Sequence, residues 1–142
     1  MKLKEILAQK QSAIISFEAS KSVQDATKEM YEKRIGALLL KSETGKFVGI
    51  LTDRDILRFY AEELGEADKV KVSEIMTEDF FVETLDSTSD RAESVMTEKR
   101  VRHLPIVEGA QVVGIISIGD LVKAKLQETA VEAKSLRDYI ST

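Results

Sequence analysis

The chain has no cysteine and no tryptophan, and only one proline and one histidine in 142 residues. Without cysteine there is no disulfide framework, no thiolate metal site and no cysteine nucleophile. A lone histidine, His103, leaves little general-base equipment and no recognisable nucleophilic triad. Metal ligation is poorly supplied, because scattered carboxylates lack any dense ligand spacing. Asp53, Asp55 and Asp68 could meet magnesium through a bound phosphate, but nothing in their spacing requires it, and no metal site is expected. Basic excess is missing too: a formal charge of −4 and a pI near 5.2 argue against nucleic acid as a partner. No apolar run reaches the roughly 20 residues a membrane helix needs. The first ten residues mix charge with apolar positions and read as a short amphipathic helix rather than a signal peptide. A soluble, cytoplasmic, non-enzymatic protein is the expectation.

What the chain does have is a hydrophobic share of 43%, ample for a core, and an internal repeat. Ser22-Val23-Gln24-Asp25-Ala26 leads through Met30 and Lys33-Arg34-Ile35 to Gly49-Ile50-Leu51-Thr52-Asp53-Arg54-Asp55. Thr88-Ser89-Asp90-Arg91-Ala92 leads likewise through Met96 and Lys99-Arg100-Val101 to Gly114-Ile115-Ile116-Ser117-Ile118-Gly119-Asp120. The copies lie about 65 residues apart, and the second has lost one residue from an internal turn. Two copies are too few for a solenoid, and each would be marginal alone. They predict two half-domains related by a pseudo-two-fold axis, with grooves between them.

Periodicity makes each copy strand, helix, strand, strand, helix, an α/β (α+β) arrangement. The first copy reads as a strand at Ala13–Phe17, a helix from Ser22, a buried strand at Ala37–Leu40, a strand at Phe47–Leu51, and a helix capped by Thr52 or Asp53. The second reads as a strand at Phe80-Phe81-Val82, a helix over Thr88–Arg100, strands at His103–Val107 and Gln111–Ile116, and a long amphipathic helix after Asp120. A single helical turn is expected near Ser73–Thr77 in the connector. Expected boundaries are 1–10 for an N-terminal helix, 11–64 and 76–125 for the repeats, and 126–142 for a helical extension. Met30 and Met96 read as core, and the charged run from Glu128 to Asp138 as a solvated helix face. Pro105, the only proline, suits an edge or irregular strand position. The apolar stripe on the last helix needs a cover, from this chain or a second subunit.

Two matched tetrapeptides could carry chemistry, Thr52-Asp53-Arg54-Asp55 and Ser117-Ile118-Gly119-Asp120. A hydroxyl and a carboxylate three residues apart at a helix start can simply form an N-cap. They can also serve a ligand, the hydroxyl and amides holding an anion while the carboxylate accepts from vicinal hydroxyls. Both readings stand at this level.

With these residues on view, the chain resembles the CBS-motif family, the two copies together being similar to a Bateman module. The likeness rests on Ile35-Gly36-Ala37-Leu38-Leu39 with Gly49–Asp55, and on Val101-Arg102-His103-Leu104-Pro105-Ile106-Val107 with Gly114–Asp120. It covers about residues 10–125 and is strongest toward small stand-alone bacterial two-CBS proteins. The resemblance implies adenosine ligands, AMP first and ATP, NAD or S-adenosylmethionine as alternatives, bound in two grooves between the repeats. In the first groove it implies Asp120 and Ser117 on ribose and phosphate, with Gly119 in the same turn. The backbone of Lys10, Ser12 and Ile14 would read the adenine edge, Ile35 and Ile115 would sandwich the ring, and Gly36 and Ala37 would also belong to this groove. Arg102 and His103 sit where some members bind phosphate, which would make this groove the tighter one. On a regular strand these two face opposite ways, so both can reach one phosphate only at an irregular strand entry. In the second groove it implies Thr52, Asp53, Arg54 and Asp55, with Met76, Thr77 and Val82 on adenine and Ile50 and Val101 on the ring. The expected function is a regulatory nucleotide-sensing module acting on an unknown partner protein, and two copies are expected to pair into a four-repeat disc. The alternative is a dimeric interaction module with vestigial grooves.

Overall fold

A computed structural model describes residues 1–10 and 15–141. These fall into two compact units, one spanning 12–80 and the other combining 1–11 with 81–142. The segment that opens the chain therefore belongs with the second repeat, and the connector after residue 64 belongs with the first.

In the unit of the first repeat, β1 (Ser16–Glu18), β2 (Ala37–Lys41) and β3 (Phe47–Thr52) form a three-stranded sheet in that order. β1 and β2 run parallel, so the link between them must be a crossover, supplied by α2 (Val23–Lys33). β2 and β3 form an antiparallel hairpin, followed by α3 (Asp53–Ala61). Ser22 starts α2 as expected, its hydroxyl accepting the Asp25 amide at 3.1 Å. Connector carbonyls then satisfy two more amides of its first turn, Val23 on Val70 and Gln24 on Ala67, both at 2.9 Å. The expected helical turn is a 3-10 turn at Val72–Glu74. Val23, Ala26, Met30, Leu38, Leu40, Leu51, Phe59 and Val72 fill the core, so Met30 is the core residue its spacing implied.

The second unit repeats this plan with β4 (Glu83–Thr84), α4 (Ser89–Lys99), β5 (His103–Glu108), β6 (Gln111–Ser117) and α5 (Ile118–Ser141). α1 (Leu3–Gln9) completes it. Its first-turn amides donate to the Ser87 and Leu85 carbonyls at 2.9 and 3.0 Å, and Leu3 and Ile6 are buried with Ala92, Met96, Leu104, Ile106 and Ile116. Both crossover helices end in a left-handed residue, Arg34 at φ 55° and Arg100 at φ 56°. Past these caps, Ile35 and Val101 donate back to the Met30 and Met96 carbonyls at 3.0 and 3.1 Å.

Phe80-Phe81-Val82, expected as a strand, is not one; β4 begins only at Glu83. Pro105 supplies the reason. In the first sheet Leu39 donates its amide to the Ile15 carbonyl at 3.2 Å, extending pairing upstream of β1. Pro105 holds the matching register position, opposite Ile115 as Leu39 is opposite Ile50, and has no N–H to give. Pairing with β4 therefore starts one residue later, at Glu83 with Ile106. Pro105 lies in the middle strand by order, yet at its own level only β6 is in register beside it, a local edge.

The strand glycines of the two copies explain each other. A Cβ on Gly49 would lie 2.6 Å from the Met76 sulfur and 3.0 Å from the Thr77 carbonyl oxygen. On Gly114 it would lie 2.8 Å from a Leu7 methyl. Each glycine lets another segment cross its strand closely, the connector in one unit and α1 in the other. No described helix is long and apolar enough to cross a membrane.

Candidate functional site

Sheet register confirms that the two tetrapeptides occupy equivalent places. Ala37 faces Thr52 and His103 faces Ser117 across their hairpins. The Gly36 carbonyl accepts the Asp53 amide at 3.0 Å, just as the Arg102 carbonyl accepts the Ile118 amide at 2.9 Å. Both turns form the N-cap that sequence allowed. The Thr52 hydroxyl accepts the Asp55 amide at 3.3 Å, and Asp55 Oδ2 accepts the Thr52 amide at 2.9 Å. Ser117 and Asp120 make the same exchange at 3.2 and 2.9 Å. A cap box uses only part of each carboxylate's acceptor capacity, and what takes the remainder differs between the copies.

At Asp55 the remainder is taken by hydroxyls. Thr77 Oγ1 lies 3.3 and 3.5 Å from its two carboxylate oxygens, and Thr52 Oγ1 lies 3.2 Å from Oδ2. The Thr77 and Ile50 backbones also bond each other reciprocally, both at 2.9 Å. Asp55 is only 8% exposed. At Asp120 the remainder is taken by an ammonium. Lys10 Nζ donates to Asp120 Oδ2 at 2.9 Å and to the Ile115 carbonyl at 2.8 Å. Ile115 matches Ile50, so one lysine head satisfies the acceptor pair that the Thr77 amide and hydroxyl satisfy in the other unit. Here the side chains keep 28% and 23% exposure for Lys10 and Asp120.

Burial pushes the Asp120 carboxyl up, but hydrogen bonds from Lys10 and from Ser117 outweigh it and hold the group below its ordinary 3.8. A depressed folded-state value means stability present above pH 3.8 and lost as pH falls through the lower folded value. The stability difference between the wild type and Asp120→Asn, measured by urea denaturation, is therefore expected to shrink as pH falls below about 3.8. A difference independent of pH across that range would contradict the assignment.

Of the residues expected at the first groove, the unit of the second repeat brings together Lys10, Ile115, Ser117, Gly119 and Asp120, with Arg102 and His103 at the head of β5. Arg102 stands exposed at a bend just before the strand and His103 is half-buried on it. Ile35, Gly36 and Ala37 belong to the other unit, and Ser12 and Ile14 lie outside the described residues. For the second groove, Ile50, Thr52, Asp53, Arg54, Asp55, Met76 and Thr77 share one unit, with Asp53 and Arg54 exposed. Val82 and Val101 belong to the other, where Val101 packs on its own core. The Lys10 ammonium is the feature that sequence reading missed. The resemblance implies only an adenine-edge role for Lys10, and no local signal links it to a carboxylate 110 positions away.

The CBS domain model matches twice, over residues 4–62 and 72–127. The mitochondrial CBS domain-containing protein CBSX3 of Arabidopsis thaliana is 35% identical over 84% of this chain, which spans 60% of that protein's length. The chain spans smaller shares, 24% and 17%, of two further Arabidopsis relatives, CBSCBSPB1 and CBSCBSPB3. Among solved structures, the CBS domain protein NE2398 is 36% identical with a TM-score of 0.83, covering 89% of this chain and 98% of that one. The CBS domain pair of MJ0100, solved with 5′-methylthioadenosine and S-adenosyl-L-methionine, is 26% identical with a TM-score of 0.78, covering 90% and 98%. With both repeats matched, and the matched turns, glycines and helix caps in register, the chain belongs to the CBS domain family, as a tandem pair of CBS domains.

Proposed function

We propose that this chain is a regulatory module that binds a phosphate-bearing adenosine compound, AMP foremost, at the Ser117–Asp120 turn and signals to a partner protein. One observation carries the reading: the Asp120 carboxylate and the Ile115 carbonyl are held by a lysine head, an exchangeable occupant. A ribose diol offers two O–H donors to a carboxylate that stays ionised near neutral pH. The displaced Lys10 ammonium then needs an anion, and a ligand phosphate supplies one beside Arg102 and His103. This charge exchange favours AMP over uncharged adenosine, with ATP and NAD next, and over S-adenosylmethionine, which carries no phosphate. MJ0100, which was solved with adenosine compounds, supports the ligand class. Signalling requires the ligand to bind one arrangement of the protein better than another. Nothing in the residues at either turn equips the protein for catalysis.

The Asp55 turn supports a different role. Its acceptors are filled by fixed groups of its own unit, which suits a structural cap and the vestigial-groove reading for that copy.

The test is a thermal-shift panel of AMP, ADP, ATP, NADH, adenosine and S-adenosylmethionine on protein shown by mass spectrometry to be ligand-free. A ligand at 100 times its dissociation constant is expected to stabilise the fold by roughly 2.7 kcal/mol. AMP should give the largest shift and adenosine a smaller one. No shift with any compound would overturn the sensor reading.

A further inference from the structure

The last helix outruns its unit. α5 has 24 residues, about 36 Å of helix. Leu121 and Ala124 are buried against the unit, whereas residues 129–141 are exposed all round. A helical stretch of that size is marginal in water without tertiary support. Val122, Leu126, Thr129, Ala133, Leu136 and Ile140 follow one another at alternating spacings of four and three, the a/d seam of a two-stranded coiled coil. The four larger apolar members are between 52% and 73% exposed. Charges beside the seam set the orientation. If two copies run parallel, Glu132 at a g position meets Arg137 at the following e position of the second copy, twice by symmetry. If they run antiparallel, Glu132 faces its own counterpart and Lys123 faces Arg137, so like charges oppose each other on both flanks.

We propose that α5 forms a parallel two-stranded coiled coil with a second copy of this chain through the Val122–Ile140 seam. The proposal is independent of the nucleotide reading, since its residues are not those of the Ser117–Asp120 turn. Parallel pairing brings the same unit of both copies to the same end of the assembly.

Static light scattering on the full chain should return twice the 15.9 kDa chain mass. Glu132→Arg sets like charges across the seam and is expected to raise the dimer dissociation constant about tenfold. Glu132→Arg/Arg137→Glu restores opposite charges and should recover affinity to within about threefold of wild type. All these positions are solvent-exposed, so folding is spared. Because the chain has no cysteine, Ile140→Cys gives one thiol per chain. Parallel helices place the two thiols side by side, and mild oxidation with oxidised glutathione should yield a covalent dimer. Antiparallel helices place residue 140 beside residue 122, about 27 Å from its own counterpart. A monomer, an association that Glu132→Arg leaves unchanged, or crosslinking seen only in a Val122→Cys/Ile140→Cys variant would each overturn the proposal.

Discussion

Asp120→Ala is expected to weaken AMP binding by about 100-fold or more in titration calorimetry, because two charge-assisted hydrogen bonds of roughly 1.5–3 kcal/mol each are lost. Asp55→Ala should leave most of that binding intact. The contrast follows from what each carboxylate already holds. Asp120 is bonded to the head of a flexible lysine, and both partners keep some access to solvent. Exchanging an ammonium for a diol costs little when the ammonium gains a phosphate. Asp55 is nearly buried under two threonine hydroxyls and its own cap, and freeing it means breaking the bridge between Thr77 and Ile50. Lys10→Met separates binding from folding in this scheme. It removes the competitor from Asp120 and the counter-charge from the phosphate, so adenosine should gain affinity while AMP loses its advantage over adenosine. Equal losses from Asp120→Ala and Asp55→Ala would show that the two turns are equivalent and that the ranking is wrong.

The largest effect on stability is expected from Phe59→Ala, about 3–5 kcal/mol by urea denaturation. Phe59 is 1% exposed, lies on α3, and packs among Leu38, Leu40, Leu51, Val72 and Ile75 while meeting Tyr60 edge-on at 5.1 Å. Removing the ring opens a cavity among strand and connector residues whose backbones are tied elsewhere: Arg58 donates to the Ile75 carbonyl at 3.0 Å, and the Ser73 amide to that of Ala19 at 3.0 Å. Such a site cannot collapse far, which places the cost toward the upper end. Because the two units have separate cores, amide exchange should accelerate in β2 and β3 more than in β5 and β6. Tyr31→Ala, at an 84% exposed ring, should stay within about 0.5 kcal/mol of wild type. A loss below about 1.5 kcal/mol for Phe59→Ala, under half the expected minimum, would mean that α3 contributes far less to this core than its packing implies.

How far sequence carried the fold depended on whether the deciding interactions were local. The crossover helices were legible because Ser22 opens the first at a capping position, Val23, Ala26 and Met30 recur at helical spacing, and the second copy repeats the pattern. The hairpins were legible from apolar runs separated by polar turns. Phe80-Phe81-Val82 was misread because its β-forming composition is a weak preference that pairing partners override, and Pro105, across the sheet, withholds the amide that pairing needed. The compact units were not legible either, since which segment crosses Gly49 and which crosses Gly114 is a matter of long-range packing.

For the site, the residues alone located the two hydroxyl–carboxylate turns, their match between the copies, and the asymmetry of Arg102, His103 and Pro105 against Gly36, Ala37 and Leu39. Each of these is written in adjacent residues or in one copy set against the other. What fills the rest of each carboxylate is set by the folded chain: threonine hydroxyls on Asp55, a lysine ammonium on Asp120. That choice depends on where the chain before each repeat is laid down, and a partner 110 positions distant leaves no periodicity or spacing from which to read it.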